Sequence, residues 1–314
     1  MAPSTSPPSK TSLSIEETPF KEGRVGRNKH GQNFKAVEAS RPDYDRAKTL
    51  TYSKTPNPDW QPGDGASVDH TKHKCISFEP YEPGRDVVHN YKLMITSVVP
   101  RPIALASTVS PDGKTKNLAP FSYFQAVSTD PPLYSLAFLG GKSNDTLDNL
   151  LATKEICISM TSDWLIEAAN FASVNTPSNV SEWDLTGLTP APSVAIRPPH
   201  VAESPFSVEC RLYSQQDIYS KTKPDVRTST LVVVEAVRYH VWEDVIDANR
   251  SELDHAKARP VFRSDGQTYG SCKEVFELPR PERFSKLVQD EGSKVTEILG
   301  GAGLGANKTA GSNL

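Results

Sequence analysis

Hydroxyls and an amide interrupt a group of apolar runs where plain core packing does not ask for them. Ser107, Thr108, Asn117, Ser122 and Tyr123 fall in or beside the runs Pro102–Val109, Leu118–Val127 and Leu133–Leu139. A few residues on, Lys142-Ser143-Asn144-Asp145-Thr146 offers an ammonium and several small polar groups just ahead of a helical pattern. Apolar walls, polar edges and an anion clamp are what a flat aromatic ligand with a phosphate tail requires. Such a phosphate carries about two negative charges near neutral pH and calls for a cation, hydroxyls and backbone N–H groups. A helix N-terminus supplies the amides without any cation.

The elements that must position these groups can be read from the same stretch. Apolar runs of this length bounded by turn residues predict strands, and Asp112-Gly113 between two of them is a hairpin signal. Pro131-Pro132 punctuates the next pair. Residues 145–153 predict a helix, with Leu147, Leu150 and Leu151 as an i, i+3, i+4 stripe and Ser143 to Asp145 as N-cap candidates. Further strands are expected at 156–161, 206–213 and 230–242, and further helices at 163–172 and 282–299. Tyr91 to Ile95 reads as a short helix or the run-in to the first strand, and Asn175 to Pro205, with its six prolines, as a loop packed over the fold. Links this short favour antiparallel pairing, because a parallel pair needs a crossover of a dozen or more residues. The expected fold is a mainly antiparallel β-barrel with peripheral helices.

Composition bounds the function. The 314 residues carry 35 basic and 38 acidic side chains, a balance that argues against nucleic acid or an anionic membrane surface as the main partner. No apolar run reaches the length of a membrane span and no signal-peptide pattern opens the chain, so a cytoplasmic protein is expected. Cys75, Cys157, Cys210 and Cys272 are widely spaced and read as buried small residues. Residues 1–70 contain three Leu or Ile residues (Leu13, Ile15 and Leu50), too few to offset ordering entropy, so this segment is expected to be a largely disordered extension. Trp60 is its exception and predicts a loop pinned to the surface of the folded part. The folded domain is expected over residues 71–280, with a C-terminal helix and flexible tail over 281–314.

The order and spacing of several short motifs carry a resemblance. Pro100-Arg101-Pro102-Ile103, Ser107-Thr108, Asn117-Leu118-Ala119-Pro120-Phe121-Ser122-Tyr123-Phe124, Asp130-Pro131-Pro132 and Asp145-Thr146-Leu147 resemble the flavin reductase-like, FMN-binding split-barrel proteins. The likeness continues through Ser181-Glu182-Trp183, Gly187-Leu188-Thr189 and Val201 to Pro205, and spans roughly residues 75 to 275. It implies an FMN-binding split barrel, a homodimer, and redox chemistry with NADH or NADPH as reductant. It implies FMN contacts from Arg101, Ala106, Ser107, Thr108, Asn117, Leu118, Ala119, Pro120, Phe121, Ser122, Tyr123, Lys142, Ser143, Asp145 and Thr146. Asn144 stands where the family usually has lysine before the Asp-Thr pair. Either Lys142 reaches in from two positions earlier, or the clamp relies on Arg101. Amides of Asn117 to Phe124 would line the pyrimidine edge, with Pro120 distorting the strand. No side chain is assigned as general acid or base, since the cofactor carries the hydride chemistry.

The expected activity is that of an FMN-dependent flavin or ferric reductase, passing electrons to a small acceptor or a partner oxygenase. Rival readings are a flavoprotein oxidase or monooxygenase acting on a small molecule, and a non-catalytic FMN-binding electron carrier. A barrel that stacks single-stranded nucleic acid on Phe121, Tyr123 and Phe124 beside Lys114 and Lys116 is opposed by the charge balance. Gly301 to Ala306 matches a dinucleotide fingerprint in letters but follows a helix, so it is discarded. His70, His73 and Cys75 lack a fourth ligand at suitable spacing, and no metal site is expected.

Overall fold

A computed structural model describes residues 34–141, 144–290 and 292–301. Their chain contacts divide into two compact units. One comprises the described residues up to Lys48 together with Pro80–Cys272, and the other Thr49–Glu79 together with the described residues from Lys273 on.

The larger unit is built on seven strands: β1 (Ala104–Val109), β2 (Lys116–Phe121), β3 (Phe124–Thr129), β4 (Pro132–Leu139), β5 (Glu155–Met160), β6 (Phe206–Tyr219) and β7 (Arg227–Val241). Their order in the sheet is β2-β1-β5-β6-β7-β4-β3, and every neighbouring pair is antiparallel. The edge strands β2 and β3 are consecutive in the chain, joined by Ser122 and Tyr123 alone. Three Cα–Cα steps span at most about 11 Å, so the sheet must roll until its two edges lie side by side. The seam between them is the split of a split barrel. The amide of Ala137 on β4 donates to the carbonyl of Tyr123 at 2.9 Å, extending the β3–β4 ladder up to that switch.

Alternation along the strands sorts the core into two faces. Ala104 and Ala106, Leu136 and Phe138, Ile156 and Ile158, Val208 and Cys210, and Val232 and Val234 form the interior cluster. Leu147 and Leu150 of α2 (Asp145–Thr153) join that cluster. The opposite face of β1 and β2, through Leu105 and Leu118, packs with Leu165, Ala169 and Trp183. Those last residues belong to or adjoin α3 (Ile166–Phe171) and α4 (Glu182–Thr186). Before the barrel, α1 (Val87–Ser97) is capped by Asp86, whose side chain accepts from the amide of Val88.

The helix expected at 145–153 is α2, and its N-cap is Asn144, whose Oδ1 accepts from the amide of Leu147 at 3.1 Å. Lys154 closes it in the left-handed region at φ 65°. The predicted hairpin joins β1 to β2, with the Gly113 amide donating to Ser110 at 2.8 Å.

Other expectations are corrected. Leu118 to Val127 is two strands, because the chain changes from one edge of the sheet to the other at Ser122 and Tyr123. The strands at 206–213 and 230–242 run on to Tyr219 and begin at Arg227, pairing as one long exposed-ended hairpin where Ser214-Gln215-Gln216-Asp217 interrupts the apolar alternation. The helix expected from 163 begins at Ile166, and the one over 282–299 is two short helices, Phe284–Leu287 and Lys294–Gly301. The loop Asn175 to Pro205 contains α4 and a short strand pair, Pro190–Ala191 with His200–Val201. Cys157 and Cys210 are buried as expected, whereas Cys75 is exposed and Cys272 half-buried; all four are free thiols.

Within the second unit, Thr51–Ser53 pairs in parallel with Glu274–Phe276. Trp60 closes its own turn there, its Nε1 donating to the carbonyl of Gly65 at 2.8 Å. The units divide at 48/49, 79/80 and 272/273. The partition expected from sequence, at 70/71 and 280/281, follows composition, whereas these units follow chain contacts. Residues 1–33 and 302–314 lie outside the described residues.

Candidate functional site

Three neighbouring cavities follow the chain from Asn117 to Tyr123. The first, about 440 Å³, opens at the N-terminus of α2 and is lined by Asn117, Ala119, Pro120 and Phe121 from β2. Asn144, Asp145 and Thr146 form another side, and residues 172–176, Ser178 and Glu182 the far wall. Asn117 Nδ2 donates to Thr146 Oγ1 at 2.8 Å, and both side chains are buried. That bond ties the edge strand to the first turn of the helix. Burial, and then the charges of Glu182 and Asp148, hold the Asp145 carboxyl above its ordinary range.

Glu182 is 4% exposed and spans the cavity wall. One oxygen accepts from the amide of Leu118 at 3.0 Å and the other from the hydroxyl of Thr176. Next to it, Ser181 Oγ donates to the carbonyl of Lys116 at 2.6 Å. The start of α4 thus caps the outer edge of β2, which would otherwise present unpaired main-chain groups. Pro120 lies on this edge strand, where the missing N–H removes no bond from the sheet interior.

A small cavity of about 80 Å³ shares Pro120 and Phe121 with the first, and Ser122 with a larger one of about 720 Å³. The large cavity is mostly apolar, walled by Met94, Val98, Val99, Phe124, Ala137 and Leu231, with Ser122, Tyr123 and Arg101 among its polar groups beside Ser97, Gln125 and Ser135. Its volume lies within the range of about 300–1,000 Å³ of small-molecule sites. Burial raises the Tyr123 phenol above its ordinary pKa. The Phe121 ring meets Phe138 edge-on at 4.7 Å, anchoring the middle of the groove to the core.

The expected site residues divide among these places. Asn117, Ala119, Pro120, Phe121, Asp145 and Thr146 meet at the first cavity, and Arg101, Ser122 and Tyr123 at the large one. Arg101 is apart from the helix N-terminus. Its buried guanidinium donates to the carbonyls of Ile95, Val98 (3.1 Å) and Asp265 (2.9 Å), and to Ser122 Oγ at 3.5 Å. Burial, then Arg263, lowers its pKa from the ordinary value. A guanidinium committed to four protein oxygens braces the wall. Ala106, Ser107, Thr108 and Leu118 line none of these cavities. Ala106 is core, and Leu118 contributes its amide to Glu182. Thr108 shares the face of its partner Asn117 and accepts from Asn149 Nδ2 at 3.2 Å. Ser107, paired with Leu118, is on the opposite face, and its buried hydroxyl has no partner among the described residues. Lys142 and Ser143 lie outside the described residues. Thr176 and Glu182 received no role from sequence, where Glu182 stands in a stretch of mostly polar residues that gives it no distinguishing signal.

Residues 96–256 match the family model described as Flavin reductase like domain. An uncharacterized protein of Aquifex aeolicus is 34% identical over 190 residues, which cover 58% of this chain and 92% of that one. Component B of nitrilotriacetate monooxygenase from Bacillus cereus is similar in structure, with a TM-score of 0.61 and 30% identity over 66% of this chain and 100% of that chain. The 2-nitrobenzoate 2-nitroreductase of Pseudomonas fluorescens gives a TM-score of 0.58 and 26% identity, covering 66% and 98%.

Proposed function

The chain belongs to the family of flavin reductase-like domains, and from that membership we propose that it is an FMN-dependent oxidoreductase drawing on NADH or NADPH. The observation that carries the reading is the groove along β2. It begins at a buried amide–hydroxyl pair, Asn117 and Thr146, at a helix N-terminus and ends in an apolar cavity beyond Phe121. That donor set fits a phosphorylated tricycle: a polar end for the phosphate and ribityl chain, and flat apolar walls for the ring.

Asn117, Thr146 and the opening amides of α2 hold the phosphate end, with Lys142 as its cation. The main chain of Phe121 to Tyr123 runs along the ring, where fixed donors favour negative charge gathered on reduction. Arg101 keeps Ser122 and the turn after α1 in place. The chemistry supplied there by FMN is hydride acceptance from the nicotinamide and onward electron transfer. A homodimer is proposed with this site, and the acceptor is a small molecule or the oxygenase of a two-component system. The similarity to a monooxygenase component B supports the oxygenase. No described helix is long and apolar enough to cross a membrane.

The test is an absorption spectrum of the FMN-loaded chain under anaerobic titration with NADH and with NADPH. Rapid bleaching of the flavin band by one of them is expected. A chain that binds FMN and bleaches with neither is a carrier or an oxidase instead. A second reading, reduction of a small aromatic acceptor in place, draws on the 720 Å³ apolar cavity at the ring end. Nitroaromatic turnover without added free flavin would favour it.

A further inference from the structure

A fourth cavity, of about 520 Å³, is walled mainly by segments that flank the matched region 96–256. Glu38, Tyr44 and Arg46 precede that region and Arg259 and Tyr269 follow it, all within the larger unit. Facing them are Asp163, Trp164 and Glu167. The pocket shares Tyr269 and Ile166 with the 80 Å³ cavity and no residue with the other two. Its volume suits a small molecule.

Arg259 is fixed there by a local device. It closes the helix His255–Ala258 at φ 47°, in the left-handed region that glycine adopts without strain. Its Nε and Nη2 both donate to Asp163 Oδ2, at 3.0 and 2.7 Å, and the hydroxyl of Tyr44 donates to the same oxygen at 2.8 Å. The Asp163 side chain is 4% exposed, so a buried acid aims the guanidinium and leaves Nη1 uncommitted among the described residues. The same guanidinium lies 6.0 Å from the centroid of Trp164, which stacks on Trp242. Arg46 and Arg259 meet Glu38, Asp163 and Glu167 in one pocket, so neither sign of charge prevails. A net-charged ligand gains from one set and loses to the other. A neutral planar ligand with a carbonyl and an N–H gains from both, while its ring lies on the aromatic walls.

We propose that this pocket is a second site, separate from the flavin groove, for a neutral aromatic carboxamide or lactam. Arg259 Nη1 donates to the ligand carbonyl, Glu167 accepts from its amide N–H, and Tyr44, Trp164 and Tyr269 flank the ring. Because flanking segments build it, the site is an addition to the flavin reductase-like core.

No flavin is needed for this binding, so its test is separate from that of the groove. Benzamide, benzoate and benzamidine are close in shape and are neutral, anionic and cationic respectively. Their dissociation constants are measured by ligand-observed NMR on the full chain, with and without saturating FMN. Benzamide should bind at least about tenfold more tightly than either charged analogue, and equally well with FMN present. Arg259→Lys keeps the charge but loses the planar fork and should weaken benzamide about tenfold. Tyr44 is 54% exposed, so Tyr44→Ala leaves the core intact. That variant should weaken benzamide about threefold, and it carries the test if Arg259→Lys does not fold. A charged analogue that binds as tightly as benzamide overturns the proposal, as does a wild-type chain that binds no benzamide. So does displacement of benzamide by FMN, or an affinity unmoved in either variant. A chain that takes benzamide but no FMN supports this site and sinks the flavin reading alone.

Discussion

Glu182 and Glu209 are both buried acids of the larger unit, yet their oxygens are used differently. Glu209 is fully buried, and its carboxylate accepts from the amides of Val194 (2.8 Å), Ala195 (2.6 Å) and Ile196 (3.1 Å). Nε2 of His240 lies 2.5 Å from the same group, and the His240 ring stacks on His200 with centroids 4.1 Å apart. It lines none of the cavities described above. Glu182 has two donors, and an open cavity runs past it. A carboxylate has about four lone-pair sites. Where the protein fills them all, the acid is a staple for a loop; where it fills half, the remainder faces whatever enters.

The largest effect that would break this contrast belongs to Glu209. Glu209→Ala leaves three amides, the one of Ile196 buried, and His240 without their acceptor and should cost about 3–5 kcal/mol in urea unfolding, with flavin affinity of the folded fraction unchanged. Glu182→Ala should cost less, about 1–3 kcal/mol, since it strands two donors beside a cavity that water can enter. Equal losses would mean that the two acids do the same job.

At the site itself, Thr146→Ala removes the acceptor of Asn117 Nδ2 and one proposed phosphate contact. FMN affinity should fall by about 1–3 kcal/mol and riboflavin affinity by less, as calorimetry would register. Equal losses for the two ligands would move the phosphate away from α2.

Acid separates the two regions by sign. Burial, then His240, lowers the pKa of His200 from 6.5, so its proton prefers the unfolded chain. The stability it contributes is complete above about 6.5 and is lost as the pH falls toward the folded pKa. Burial pushes the Glu209 carboxyl up, but the Val194 amide, His240 and the Ala195 amide outweigh it, so its pKa falls below 4.5. Its contribution is present above that value and lost as the pH drops through the folded pKa. Asp145 has a raised pKa, so its contribution is largest in acid and fades as the pH rises. The urea midpoint should therefore hold from pH 8 to 7, decline from about 6.5, and decline again below about 4.5. His200→Asn should flatten the first step alone; an unchanged first step would detach it from the histidine stack.

Much of the scaffold was legible because its signals are local. The stripe Leu147, Leu150 and Leu151 and the flanking Asn144 mark α2, and period-two apolar positions mark the strands. The break at Ser122 and Tyr123 was not, since an apolar run crosses it and the switch of sheet edge is a property of the whole sheet's strand order. The partners of Arg101 were illegible for a similar reason. Its partners at 95, 98 and 265 come from α1's end and a distant loop, so nothing next to it in the chain reveals that its donors are taken. Glu182 was overlooked because its partners, at 118 and 176, meet once α4 covers the edge of β2.

Ser107 and Thr108 are the finest test of the same point. As adjacent hydroxyls they were read as one polar pair, yet neighbours on a strand face opposite sides. Thr108 faces α2 and accepts from Asn149, whereas Ser107 lies on the face of Leu105 and Leu118, its hydroxyl without a partner among the described residues. Ser107→Ala should therefore leave FMN affinity alone and change stability by less than about 0.5 kcal/mol, or raise it slightly, since no bond is lost and an unpaired polar atom is removed. Thr108→Val strips Asn149 of its acceptor and should cost about 1 kcal/mol. If Ser107→Ala instead weakened FMN binding, the hydroxyl would have to reach the groove through its own strand, and the division of the sheet into a site face and a packing face would fail with it.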